Sequence, residues 1–236
     1  LTLPTIAVAT YTTNLISDNR KIEFRPFLAK EQKALLMAIE GNDIKEIVHS
    51  VMNVLKACIL TPGIDVFKLP SFDIQHLFLE LRKRSVDEVI ELKMHHPESD
   101  HSECQHAQKL TLNLNSVTVE RDPTHTKKIK INDDIGVVMR YPNSNMFEKY
   151  SGGTVQNVFG LISECVESVF DKENVYSDFT LPQISQWLEQ LTPEQLQVIT
   201  NFFHTMPSLH FDIKYKCSGC GQNVEHRLEG LSDFFI

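Results

Sequence analysis

The sequence predicts an α+β fold, in which a β module is split along the chain and helices occupy the gap. Three observations predict it. Cys217-Ser218-Gly219-Cys220 near the end and His101-Ser102-Glu103-Cys104 far upstream share one ligand spacing. Both lie between segments with strand character: Val89 to Met94 and Lys109 to Val119 around the first, Phe211 to Tyr215 and Val224 to Leu228 around the second. From Thr154 to Thr205, by contrast, apolar residues recur at helical spacing.

The second knuckle is the stronger signal. Gly219 and Gly221 beside Cys220 let the backbone turn tightly enough for both thiolates to reach one ion, the usual half of a tetrahedral zinc site. Cys104 and His101 are the expected remaining ligands, because His101 precedes Cys104 as Cys217 precedes Cys220. His95 is the reserve for the fourth place, since it follows its strand directly, as Cys217 does. Four protein ligands leave no position for water, so the expected zinc is structural. Strands on either side of each knuckle give the outline of a zinc ribbon, divided between residues 89–142 and 207–236.

The N-terminal part, 1–88, is expected as a β-hairpin plus helices. Ile6 to Tyr11 is rich in β-branched and apolar residues, Ser17-Asp18-Asn19 has turn chemistry, and Lys21 to Arg25 alternates with period two before Pro26. A helix from Lys30 to Glu40 stops at Gly41. A second, Asp43 to Ile59, carries Ile47, Val48, Val51, Leu55 and Cys58 on one stripe, which makes Cys58 a core residue. Ser71 caps a third, to about Arg84, where His76 is read as structural. Thr126 to Ile131 and Ile135 to Pro142 continue the β pattern.

Residues 143–206 are expected as a helical insertion between the ribbon halves, opening with a loop at 143–153. A helix from Thr154 to Phe170 has Cys165 among its core positions. Thr180 with Pro182 starts the next, and Thr192 with Gln195 three residues on has the capping-box spacing before a helix to Thr205, stopped by Pro207. Trp187, Phe202 and Phe203 share stripes with Leu188, Leu196 and Ile199, and so belong to a core.

The 236 residues suffice for one large domain or two modest ones. A net charge of −8 opposes a nucleic-acid groove or an anionic membrane surface as the main partner. Five cysteines without a disulfide framework fit a reducing compartment. No apolar run approaches the roughly 20 residues of a membrane span, and the first residues lack signal-peptide character. No H-E-x-x-H, P-loop, G-x-S-x-G or G-x-G-x-x-G pattern occurs, so an enzyme is not expected.

Several segments, in order, carry a family resemblance: Lys21-Ile22-Glu23-Phe24-Arg25-Pro26-Phe27-Leu28; Lys68-Leu69-Pro70-Ser71-Phe72-Asp73-Ile74-Gln75-His76-Leu77-Phe78-Leu79; Asp134-Ile135-Gly136 with Met139-Arg140-Tyr141-Pro142; Phe202 to Pro207; and Cys217 to Cys220 with Glu229-Gly230-Leu231-Ser232-Asp233-Phe234-Phe235. Together they make the chain resemble the baseplate hub assembly proteins of T-even-type contractile-tailed bacteriophages, over most of its length. That pattern favours cysteines in the first knuckle too, where this chain has a histidine. The resemblance implies a non-enzymatic role in building the central hub, through contacts with other hub proteins and with room for self-association. It places the chain in the host cytoplasm during assembly and then in the virion tail baseplate. A zinc-ribbon regulator that binds nucleic acid is the rival reading; the net charge opposes it, and a gel shift at low salt separates the two. Leu231, Phe234, Phe235 and Ile236, apolar residues among the last six, are expected to form a second contact beside the helical insertion.

Overall fold

A computed structural model describes residues 6–41, 43–86, 88–95, 104, 106–150 and 154–230. His96, His101 and the apolar segment 231–236 lie outside the described residues. The elements begin with β1 (Tyr11–Asn14), β2 (Lys21–Phe24), α1 (Ala29–Glu40), α2 (Ile44–Cys58) and α3 (Ser71–Ser85). There follow β3 (Val89–Met94), β4 (Gln108–Asn113), β5 (Val119–Glu120), β6 (Lys128–Lys130), β7 (Gly136–Met139), α4 (Ser144–Lys149) and α5 (Val155–Cys165). The chain continues with β8 (Val166–Phe170), β9 (Val175–Tyr176), α6 (Leu181–Leu188), α7 (Pro193–Thr205), β10 (Ser208–Lys216) and β11 (Asn223–Glu229). Helices with several small antiparallel sheets make the fold mixed α+β.

Two units divide the chain: Leu1–Val66 with Phe72–Glu120 and Ser208–Ile236 form the first, Phe67–Ser71 with Arg121–Pro207 the second. In the first, β1 and β2 pair antiparallel, Tyr11 opposite Phe24. Their turn is anchored by α3. The Asp73 carboxylate, fully buried, accepts the Ile16 N–H at 2.6 Å, the Ser17 N–H at 3.1 Å and the Ser17 hydroxyl. Burial nonetheless raises the Asp73 pKa, outweighing those donors. A folded-state pKa above the unfolded one gives stability that is present below the ordinary aspartate range and lost as pH rises through the folded value.

A neutral acceptor should therefore serve nearly as well. Asp73→Asn is expected to cost little, whereas Asp73→Ala strands buried donors and should cost on the order of 3 kcal/mol, read from urea unfolding. Equal losses in the two variants would show that the hydrogen bonds do not hold the turn. His76 on the same helix lies 2.9 Å from the Thr13 hydroxyl, and burial lowers its pKa, in keeping with a structural role.

The remaining sheets of this unit are the hairpin of β3 with β4 and the sheet ordered β11-β10-β5. They bury one face each in a common cluster: Ile90, Leu92 and Met94 from β3, Leu112 from β4, Leu209, Ile213 and Leu228 from β10 and β11, with Leu79 of α3. Alternation places these side chains on single faces, as period two requires.

In the second unit, β6, β7, β8 and β9 form one antiparallel sheet in that order. Ile129, Val137, Met139 and Val166 from the sheet pack with Ile162, Ile184, Leu188, Ile199 and Phe202 from the helices. Gly136 is required where it stands: an added Cβ would lie 2.5 Å from the Ile129 carbonyl oxygen and 2.3 Å from the Phe170 ring. Near the ends of this unit's main segment, the His125 ring bonds Thr205 through Nδ1 at 2.9 Å and Tyr141 through Nε2 at 3.0 Å.

Several expectations change. The first strand begins at Tyr11, and Ile6 and Val8 are exposed outside it, having no sheet face to pack against. The helix expected through Phe170 ends at Cys165. Residues 166–170 satisfy either period, and pairing with β7 decides for strand. Residues expected as a loop contain α4. Its start is fixed by Asn143, whose side chain accepts the Met146 N–H at 3.1 Å. At its end, Lys149 and the following Tyr150 both bond Glu164 at 2.7 Å, and the Tyr150 ring rests against Gly160. Residues 143–206 thus hold β8 and β9 besides helices. The expected capping box of α7 is present: Gln195 Oε1 accepts the Thr192 N–H at 2.9 Å, and Thr192 Oγ1 accepts the Gln195 N–H at 3.3 Å.

Candidate metal centre

The site is built by two hairpins. In β10 and β11 the ladder runs to Lys216 opposite Asn223, leaving Cys217 to Gln222 as the connecting turn. Cys217 N–H donates to the Gln222 carbonyl at 2.8 Å, and Gly221 N–H donates to the Cys217 carbonyl at 2.8 Å. Gly221 has φ of 77°, which glycine adopts at least cost. In the other hairpin Met94 pairs with Gln108, so Cys104 belongs to the loop joining β3 to β4. Because both hairpins pack into one apolar cluster, their loop ends meet.

Cys104, Cys217 and Cys220 have their sulfur atoms all within 4.8 Å of one another. Cys104 Sγ and Cys217 Sγ are 3.9 Å apart. Zinc–sulfur bonds of about 2.3 Å in a tetrahedron place two sulfurs about 3.8 Å apart, so this pair already has the spacing of two ligands on one ion. Gly219 N–H points at Cys217 Sγ from 3.4 Å, an amide dipole that favours a thiolate. Cys217 is buried, Cys104 half-buried and Cys220 exposed. At Cys220 the backbone bond from Gln222 favours the thiolate, but desolvation and the neighbouring thiols outweigh it and raise the pKa. A divalent cation removes that like-charge conflict, so the donor set fits zinc.

The turn is braced from the other loop. Ser218 N–H donates to Gln108 Oε1 at 2.8 Å, and the Ser218 hydroxyl bonds His106 Nε2 at 2.9 Å. Gly219 sits so close that an added Cβ would lie 2.6 Å from the His106 Cβ. The sequence alone assigns no role to His106 or to Gln108. No spacing rule points to either, because both act across the two hairpins.

Of the histidines considered for the fourth place, His101 lies outside the described residues. His95 is exposed and is not part of the thiol group; its carbonyl accepts from the Tyr215 hydroxyl at 3.5 Å. The other two cysteines belong to cores. Burial pushes the Cys58 thiol up to about 11 and the Cys165 thiol up to about 12, so both stay protonated at neutral pH.

Among the described residues no helix is long and apolar enough to cross a membrane. The fold and the thiol group together define an α+β protein whose distant segments converge on three cysteines that could hold a metal ion. The sequence model of the T4 bacteriophage base plate protein family matches residues 8–236, and the chain belongs to that family. It is a phage baseplate protein. No curated protein and no solved structure matches it.

Proposed function

We propose that the chain is a baseplate hub protein or hub assembly factor that works without enzymatic chemistry, through contacts with other hub proteins. In this reading it acts in the host cytoplasm while the hub is built. A structural zinc is held by Cys104, Cys217, Cys220 and a histidine of the 95–103 loop, His101 first. The observation that carries the reading is the family match over residues 8–236. The thiol group supports the zinc, and the net charge of −8 supports protein partners over nucleic acid.

Tagged chain recovered from infected cells, with bound proteins identified by mass spectrometry, tests the hub assignment. Hub components should co-purify before tails are complete. Recovery of the chain alone, or with nucleic acid resistant to salt, would sink the assignment. The fourth ligand has its own test. His101→Ala should lower zinc content of the purified protein more than His106→Ala, because His106 braces the turn through Ser218. If both variants keep full zinc while His95→Ala loses it, the ligand is His95.

A further inference from the structure

In the second unit, a cavity of about 330 Å³ lies between the sheet edge and α6, lined by Val169, Phe170, Tyr176, Phe179, Ile184 and Trp187. Its walls are aromatic and aliphatic apart from Asp171 and Gln183, whose Oε1 is taken up by the Thr180 N–H and hydroxyl. Asp171 also borders it, but that carboxylate is already engaged: it accepts the N–H groups of Glu173 and Asn174 and the Tyr176 hydroxyl. The cavity therefore presents an apolar interior to whatever enters.

Two further features surround it. β9 is the last strand of its sheet, and among the described residues only β8 pairs with it. Val175 and Tyr176 on β9 are 70% and 50% exposed, and Leu181 at the start of α6 is 43% exposed. An uncovered edge strand beside an apolar cavity is the arrangement that accepts an extended peptide as an added strand, with alternate side chains dropping into the cavity. The rim is acidic. Asp133 and Asp134 directly precede Ile135, Glu173 lies in the turn before β9, and Asp178 precedes Phe179; all four are exposed. Lys172 pairs with Asp134, and Lys128 lies over the Phe170 ring at 4.8 Å, so the rim's acidic character rests on Asp133, Glu173 and Asp178.

We infer that this edge docks an extended segment of another protein in which large apolar residues alternate with basic ones. Charge complementarity selects that occupant. It also argues against a second copy's closing segment, Leu231-Ser232-Asp233-Phe234-Phe235-Ile236, which carries an acid and no base. The site shares no residue with the thiol group, and its test makes no use of metal or of the hub assignment.

Trp187 is the chain's one tryptophan and lines the cavity, so its fluorescence reports occupancy. The probe is a synthetic octapeptide alternating lysine with valine and phenylalanine. It should shift Trp187 emission saturably and bind about tenfold or more tighter than its glutamate counterpart, with affinity falling as salt rises. Asp133→Lys combined with Glu173→Lys, both exposed positions, should erase or reverse that preference while leaving the fold intact. A version of the probe with proline at its centre should bind weakly, because it cannot complete the ladder. Absence of any emission change, equal affinity for the basic and acidic peptides, undiminished binding of the proline version, or tighter binding of the chain's own closing hexapeptide would each overturn the inference.

Discussion

Cys217→Ser is expected to abolish binding of the proposed zinc and to lower the thermal midpoint of the first unit by roughly 10–20 °C. Structural zinc contributes about 10–16 kcal/mol of apparent binding energy in zinc-finger peptides that have no other core. Here the proposed ion would join hairpins already packed through a shared apolar cluster, so only part of that energy is at stake. A loss on the order of 5 kcal/mol converts to the stated shift for a protein of this size. Cys217 is the sensitive position, being buried, with its Sγ 3.9 Å from Cys104 Sγ and facing the Gly219 N–H. Elemental analysis before and after chelation, with melting followed in parallel, gives the result. A folded wild-type protein that holds no metal and ignores the chelator would end the zinc assignment.

Phe202→Ala should cost about 3–5 kcal/mol, the range for removing a large buried ring. Phe202 is 2% exposed and sits at the centre of a ring group: Phe203 lies edge-on at 5.3 Å, Tyr141 stacks at 5.5 Å and His125 lies at 5.0 Å. Cavity formation adds to the lost transfer energy because Ile199 and Leu188, both buried, are fixed by their own helices. Trp187 packs against the same cluster, so its fluorescence should follow this loss in urea. Zinc content should stay unchanged, since the thiol group belongs to the first unit. A loss below about 1 kcal/mol would mean that the cluster collapses into the gap.

Much of this architecture is legible in the sequence because local chemistry and tertiary context agree. Asp43 caps α2 through the Lys45 N–H at 2.9 Å, and the Thr192 box starts α7 where its spacing says. The convergence of Cys104 with Cys217 and Cys220 is legible for another reason, since cysteines at knuckle spacing have few other uses in such a chain. Other features depend on partners distant in sequence. Val166 to Phe170 extends a helical stripe, and pairing with β7 and β9 makes it a strand. Asp73 looks like a first-turn helix acid, and nothing local shows that it clamps a turn 56 residues away. His106 and Gln108 brace the metal turn across 112 and 110 residues of chain, beyond the reach of any pattern.

The pairing of Ser208 with Glu120 and of Leu209 with Val119 has a kinetic consequence. It joins strands separated by the whole second unit, and closing so long an unfolded loop carries an entropy cost that slows folding. The second unit removes most of that cost when it folds alone, because the bond from His125 to Thr205 brings its own ends together. What the first unit must then close is a gap of a few residues. The joining of β5 to β10 is therefore expected as the late step, with assembly of the thiol group after it. A chain with Phe202→Ala should consequently refold its metal site more slowly than the native chain, although every ligand is intact; equal rates of thiol protection would show that the two units fold without this order.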